Sequence, residues 1–180
     1  MKDATATRYS TTAIVFHWLL ALMIVVSFGV GLYMTSLPFS PARLKLYNWH
    51  KWAGVTILAL SALRLLWRLF NRPPADVAMP AWQRQAAHVT HWGLYALFFA
   101  VPLVGWAYSS AAGFPIVLYG TFPLPDFVMP DKELAEAIKP WHRNLSYLLA
   151  ALVVAHVAAA LKHHFIDRDG LLLRMMPGRR

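Results

Sequence analysis

Cysteine is absent from the 180-residue chain, which excludes disulfides, iron–sulfur clusters, thiolate zinc sites and the Cys-x-x-Cys-His attachment of a c-type haem. Any metal must then be held by histidine or carboxylate. Charge is scarce too: Asp, Glu, Lys and Arg make up 14% of the chain, and only 8 of these residues are acidic. A soluble domain of this size needs more polar surface than that. Internal repeats, heptad series and low-complexity segments are also missing, which argues against solenoids and coiled coils.

What is present is apolar: 58% of residues are hydrophobic and the mean hydropathy is +0.45. This is the composition of a membrane protein. The formal charge of +9 does not point to nucleic acid, because the cations sit in short runs beside apolar stretches, where they orient a protein in the bilayer. The chain reads as a single membrane domain, 1–180, with four spans at about 11–34, 46–69, 85–110 and 140–165. Each is long enough to cross a hydrocarbon core needing about 20 residues. The first could be mistaken for a signal peptide, but it exceeds the usual apolar region, lacks a small-x-small cleavage site and contains His17 and Trp18.

Between the spans, Leu37 to Pro41 breaks the helix, and Asn71-Arg72-Pro73-Pro74 stops the second span. Pro102 falls inside the third span, where neighbouring helices can satisfy the freed carbonyl. The outer loop 111–139 is rich in Gly, Pro and aromatics, too broken to span and too apolar to float free. It is expected across the bundle mouth or in the interface, with a short amphipathic helix over Asp131 to Ile138. A basic tail, 166–180, ends the chain.

Lys2, Arg8, Arg64, Arg68, Arg72, Arg84, Lys162, Arg168, Arg174, Arg179 and Arg180 fall on the side of the two termini. Arg43, Lys45, Lys51, Lys132, Lys139 and Arg143 fall on the other. The excess predicts both termini in the cytoplasm.

Eight histidines remain for chemistry. His142 and His156 are fourteen residues apart on the fourth span, about 21 Å and nearly a whole number of helical turns, so they share one face. His17 matches the depth of His156, and His50 that of His142. One imidazole of this kind is most simply a packed side chain bonded to a carbonyl. Four ionisable groups at matched depths inside a bilayer point to function. Zinc would want about four ligands together, whereas two axial imidazoles suit a low-spin haem iron. The pairs His17/His156 and His50/His142 are therefore candidate axial ligands of two haem b groups. Gly29, Gly31, Gly54 and the alanines of the fourth span would admit a planar ring, although ordinary helix packing also uses small residues. Arg8, Arg64, Lys162, Lys51 and Arg143 are candidate propionate partners or snorkelling anchors.

His88 and His91, an i, i+3 pair at the start of the third span, rank second as ligands, since one helix turn cannot place rings on opposite haem faces. A propionate or quinone contact is the other use for them. His163 and His164, at the end of the fourth span, are candidates for proton handling at a quinone site, or solvated interface residues.

The strings Ile14-Val15-Phe16-His17-Trp18-Leu19, Asn48-Trp49-His50-Lys51-Trp52-Ala53-Gly54, Ala87-His88-Val89-Thr90-His91, Lys139-Pro140-Trp141-His142, Ala155-His156 with Lys162-His163-His164-Phe165, and Leu172-Leu173-Arg174-Met175-Met176-Pro177 together resemble the bacterial cytochrome b561 family over almost the whole chain. The resemblance implies an all-α, four-helix bundle of the bacterial inner membrane, with two haem b groups between helices, that exchanges electrons with quinone. One type in the family is a superoxide oxidase passing electrons from periplasmic superoxide to ubiquinone. Relatives serve as membrane cytochrome subunits.

On that reading the outer basic rim of Arg43, Lys45, Lys51, Lys139 and Arg143 attracts a small anion by charge steering. Quinone contacts are sought among Trp18, His88, His91, His163 and His164 inside, or Trp49, Trp52 and Trp141 outside. The rival function is a membrane cytochrome b subunit carrying electrons between a periplasmic hydrogenase or c-type cytochrome and the quinone pool, docked through the 111–139 loop. A haem-free structural membrane protein is the third option.

Overall fold

A computed structural model describes residues 8–178. Lys2, Arg179 and Arg180, which entered the charge count, lie outside the described residues. Four long helices dominate: α1 (Thr11–Ser36), α2 (Pro41–Phe70), α3 (Ala81–Ala111) and α4 (Lys132–Lys162). All four are long and apolar enough to cross a membrane.

Each helix begins where the local chemistry allows. Ser10 Oγ accepts from the Ala13 amide and Ser40 Oγ from the Arg43 amide, satisfying donors that the first turn leaves free. Pro41 sits in the first turn of α2, where its missing N–H costs nothing, so this helix starts there rather than near residue 46. Asp131 caps α4 by accepting from the Glu133 and Leu134 amides at 2.9 and 3.1 Å. The amphipathic stretch expected to stand apart over Asp131 to Ile138 is thus the opening of α4. Pro140 lies inside the helix, and the carbonyl it frees belongs to exposed Glu136, where no burial penalty follows. The loop shortens accordingly to 112–131.

Large apolar side chains face outward along the helices, Leu22 at 63% and Val154 at 68% exposure among them, as lipid contact requires. The core lies mainly between α3 and α4, where Leu94, Leu97, Phe98 and Leu149 pack with Val101, Leu145, Leu152 and Val153, and Ile24 joins from α1. The extended helix contacts run α1 with α2, α2 with α3, and α3 with α4. The face of α4 toward α1 and α2 is therefore packed more loosely.

The α3–α4 loop carries a short hairpin, β1 (Val117–Leu118) with antiparallel β2 (Phe122–Pro123). It is tied to the outer end of α2. Lys51 Nζ donates to the Phe114 and Pro115 carbonyls, the Trp52 indole to the Val117 carbonyl at 2.7 Å, and the Thr56 and Tyr119 hydroxyls meet at 2.7 Å. Tyr119 has a φ of 53°. A left-handed non-glycine residue costs about 1–3 kcal/mol, and the Trp52 ring at 5.6 Å and the Thr56 hydroxyl hold it there.

At the other end of α4, a π-helical turn (His163–Asp167) and a left-handed Arg168 turn the chain back under the bundle. The tail is anchored there. Trp18 donates to the Met175 carbonyl at 2.7 Å, Arg8 to the Met176 carbonyl at 2.7 Å, and Arg174 to the Ala75 carbonyl at 2.6 Å.

Candidate functional site

The outer pair comes from α2 and α4. The rings of His50 and His142 have centroids 6.2 Å apart and planes at 87°. His50 Nδ1 lies 3.1 Å from the Ser27 carbonyl and 3.2 Å from its hydroxyl, both on α1. His142 Nδ1 lies 3.1 Å from the Val101 carbonyl of α3. A carbonyl can only accept, so each Nδ1 carries the proton and donates it, leaving each Nε2 lone pair free for a metal. Glycine makes this approach possible. A Cβ on Gly105 would stand 2.7 Å from His142 Cε1 and 2.9 Å from its Nδ1, and one on Gly31 would stand 3.3 Å from His50 Cε1.

The inner pair comes from α1 and α4, with His17 and His156 centroids 6.1 Å apart and planes at 62°. A third ring is present here: His91 of α3 lies 5.4 Å from His156. The environment of His17 differs in kind from that of the outer rings. Arg64 Nη2 lies 3.3 Å from His17 Nδ1. The Arg64 guanidinium also stacks over the Tyr95 ring at 5.4 Å, and Arg68 lies over the same ring at 5.6 Å.

The geometry suits the haem b that the family resemblance implies. Two imidazoles bound on opposite sides of one metal ion, with bonds of about 2 Å, place their centroids about 6.3 Å apart. Both pairs match that span, and the 5.4 Å between His91 and His156 falls short of it. The rings of His17, His50, His142 and His156 are only half-buried, and α4, which contributes to both pairs, packs loosely toward the helices bearing their partners. Nitrogen donors alone, with no carboxylate ion-paired to any of the four among the described residues, also favour haem iron over a hard cation.

The remaining predicted residues scatter. His88 turns outward to Asp76 at 3.4 Å, both more than half exposed, so the i, i+3 pair is split between the surface and the inner site. His163 is buried, with Nδ1 2.5 Å from Asp169 and 3.2 Å from Asp167, whose carboxylate also binds Lys162 at 2.7 Å. Partial burial pushes the Asp169 carboxyl up, but the Leu171 amide and His163 outweigh it and hold the group below the usual carboxylate range. His164 stacks edge-on to Phe165. On the outer side, Lys139 pairs with Glu136 at 3.4 Å, Arg143 Nε reaches Asn144 Oδ1, and Arg43 binds the Leu37 carbonyl. Lys51 is held by the loop carbonyls already described.

Sequence reasoning did not single out Gly105. Its signal was available: Val101 and Gly105 are one helical turn apart on α3, the spacing that sets a carbonyl with a spare lone pair beside a bare Cα. Gly31 was noted as room for a cofactor, and here it faces the His50 ring.

Comparison with known proteins gives the family. The family described as prokaryotic cytochrome b561 matches residues 8–178. The chain is 34% identical to cytochrome b561 homolog 2 of Escherichia coli (strain K12) over 176 residues, covering 96% of this chain and 93% of that protein. It is 34% identical to cytochrome b561 homolog 1 of the same organism, with 96% and 99% covered. A probable superoxide oxidase, CybB, of Yersinia pestis is 32% identical, with 96% and 98% covered. A multi-pass membrane protein with four apolar helices and paired histidines, this chain belongs to the prokaryotic cytochrome b561 family of haem b electron-transfer proteins.

Proposed function

We propose that the protein is a superoxide:quinone oxidoreductase of the bacterial inner membrane, with both termini cytoplasmic, holding one haem b between His50 and His142 and a second between His17 and His156. The observation that carries this reading is the pair of histidine couples, at 6.2 and 6.1 Å, sharing α4 fourteen residues apart. That separation is about 21 Å along the helix. Haem b bound between two imidazoles supplies a one-electron ferric/ferrous couple. The overall reaction takes one electron from each of two superoxide anions, giving two dioxygen molecules. Ubiquinone gains those two electrons and two protons to become ubiquinol.

The chain's own residues divide this work. His50 and His142 are oriented by the Ser27 and Val101 carbonyls, so neither ring needs to reorient when iron binds. Lys51, Lys139 and Arg143, with Arg43 and Lys45, give the outer end a positive field for an anionic substrate. The 32% identity to a protein described as a probable superoxide oxidase supports that choice of anion. At the inner end, the buried His163 in contact with Asp169 is suited to passing protons from the cytoplasm to a reduced quinone, with His91 and His164 on the same side.

Stopped-flow mixing of the purified holoprotein with superoxide, with and without ubiquinone, tests this. Superoxide alone should reduce the haem, quinone should reoxidise it, and the rate of reduction should fall as salt rises. Haem that superoxide leaves oxidised, in a protein that always co-purifies with a periplasmic oxidoreductase, would favour the cytochrome-subunit role instead.

A further inference from the structure

The two levels of the bundle are alike on α4 and unlike on α2. On α4, His142 at the outer level is followed by His156 at the inner one. On α2, the residue fourteen after His50 is Arg64, so the same helix face brings an imidazole to the outer level and a guanidinium to the inner. Arg64 is half-buried and in contact with His17 Nδ1. Among the described residues no carboxylate lies within ion-pairing distance of it. A charge inside a membrane without a counter-ion is costly and marks function.

Second-shell bonds tune a metal through its ligands. At the outer level, both ligating rings donate Nδ1–H to backbone carbonyls. This pushes electron density toward Nε2, makes the imidazoles more basic and favours the ferric ion. At the inner level, no carbonyl among the described residues bonds His17 Nδ1; the Arg64 guanidinium lies 3.3 Å from it instead. Because it can only donate, it cannot bond this nitrogen while a neutral His17 holds iron through Nε2, so it acts there through its charge. A fixed positive charge there disfavours the more positive ferric state. The stack on Tyr95 keeps that charge at the site whichever nitrogen of His17 carries the ring proton. The cations beside the outer ligands point elsewhere, Lys51 to the loop carbonyls and Arg143 to Asn144.

We infer that Arg64 is a positioning residue that raises the reduction potential of the inner haem above that of the outer one, so that electrons entering at the periplasmic side run downhill toward the cytoplasmic side. One electron leaves the outer ferrous site and reduces the inner ferric site; no proton or bond changes hands. The inference rests on the assignment of the two ligand pairs.

Equilibrium redox titration of purified single-haem proteins tests it. His142→Ala leaves only the inner haem and His156→Ala only the outer, and the inner midpoint should be the higher. Adding Arg64→Gln to the His142→Ala protein should lower the inner midpoint while the low-spin spectrum of two axial imidazoles persists. Arg64→Lys, which keeps the charge, should retain most of the potential. An unmoved midpoint in the Gln variant, or a Lys variant that falls as far as Gln, overturns the proposal. Should the Gln variant fail to hold haem, an inner midpoint at or below the outer one in the two single-haem proteins overturns it as well. Failure of the underlying assignment is read separately, from haem per chain: a His142→Ala protein that keeps two haems removes the ligand pairs themselves.

Discussion

The outer and inner histidine sites have nearly the same ring separation and almost nothing else in common. At the outer site each ring is held by a backbone carbonyl, and a glycine lets each lie close to a neighbouring helix. At the inner site the rings meet a third imidazole and Arg64, which with Arg68 lies over the Tyr95 ring. A carbonyl fixes one tautomer, and main-chain dipoles do not titrate. The outer site is therefore preorganised and chemically quiet, which supports the proposed encounter with a reactive anion there. The inner site is charged and rich in exchangeable protons, which supports the proposed transfer of electrons to an acceptor needing protons.

If the outer site depends on close approach, filling the space beside His142 should weaken it sharply. Gly105→Ala places a methyl 2.7 Å from His142 Cε1, pushing the ring off the Val101 carbonyl. Outer haem affinity should fall about 10–100-fold, the usual scale for losing a ligand's supporting bond, with the inner haem kept. Difference absorbance spectra of the two haems measure this, and an unchanged outer haem would show that the glycine is incidental.

A pair of substitutions separates the two candidates for the inner ligand. His91→Phe should leave the inner haem in place, whereas His17→Phe should remove it, because only His17 stands at the bis-imidazole distance from His156. Loss of haem in the His91 variant with retention in the His17 variant would exchange their roles.

Smaller again is Ser27→Ala, which deletes one acceptor from His50 but leaves the carbonyl. Haem content should stay within about tenfold in affinity, measured by haem titration into the apoprotein. A larger loss would mean that the hydroxyl, not the carbonyl, sets the ring.

The smallest effect concerns the tail beneath the inner site. The folded Asp169 carboxyl lies below its ordinary value, so its contribution is fully present above the unfolded pKa and is lost as pH falls through the depressed one. Asp169→Asn should speed hydrogen exchange of the 168–178 amides at neutral pH, and the wild type should approach that behaviour only in acid. Equal protection in both at neutral pH would remove Asp169 as the tail's anchor.

Much of this organisation was legible in the sequence because depth in a membrane is a linear coordinate. Apolar runs give the spans, and the fourteen-residue interval of His142 and His156 sets two levels to which His17 and His50 can be matched by position alone. Direction around the helix axis is not linear, and there the reading fell short. His88 and His91 share a depth, but one turns outward to Asp76 and the other inward to His156. Gly105 carries no side chain to suggest a role, yet it sets the position of His142. Pro140 reads as a helix boundary by propensity, but with an exposed residue four positions earlier it sits inside α4.

Two separate haem sites that share α4 are the centre of the proposed function. The most direct measurement is haem per chain in purified wild type, His142→Ala and His156→Ala by pyridine haemochrome, with low-temperature spectra of each. Two haems in the wild type and one in each variant, with different absorption maxima in the two variants, is the predicted result. Two haems retained in either variant, or one and the same haem surviving in both, would contradict it.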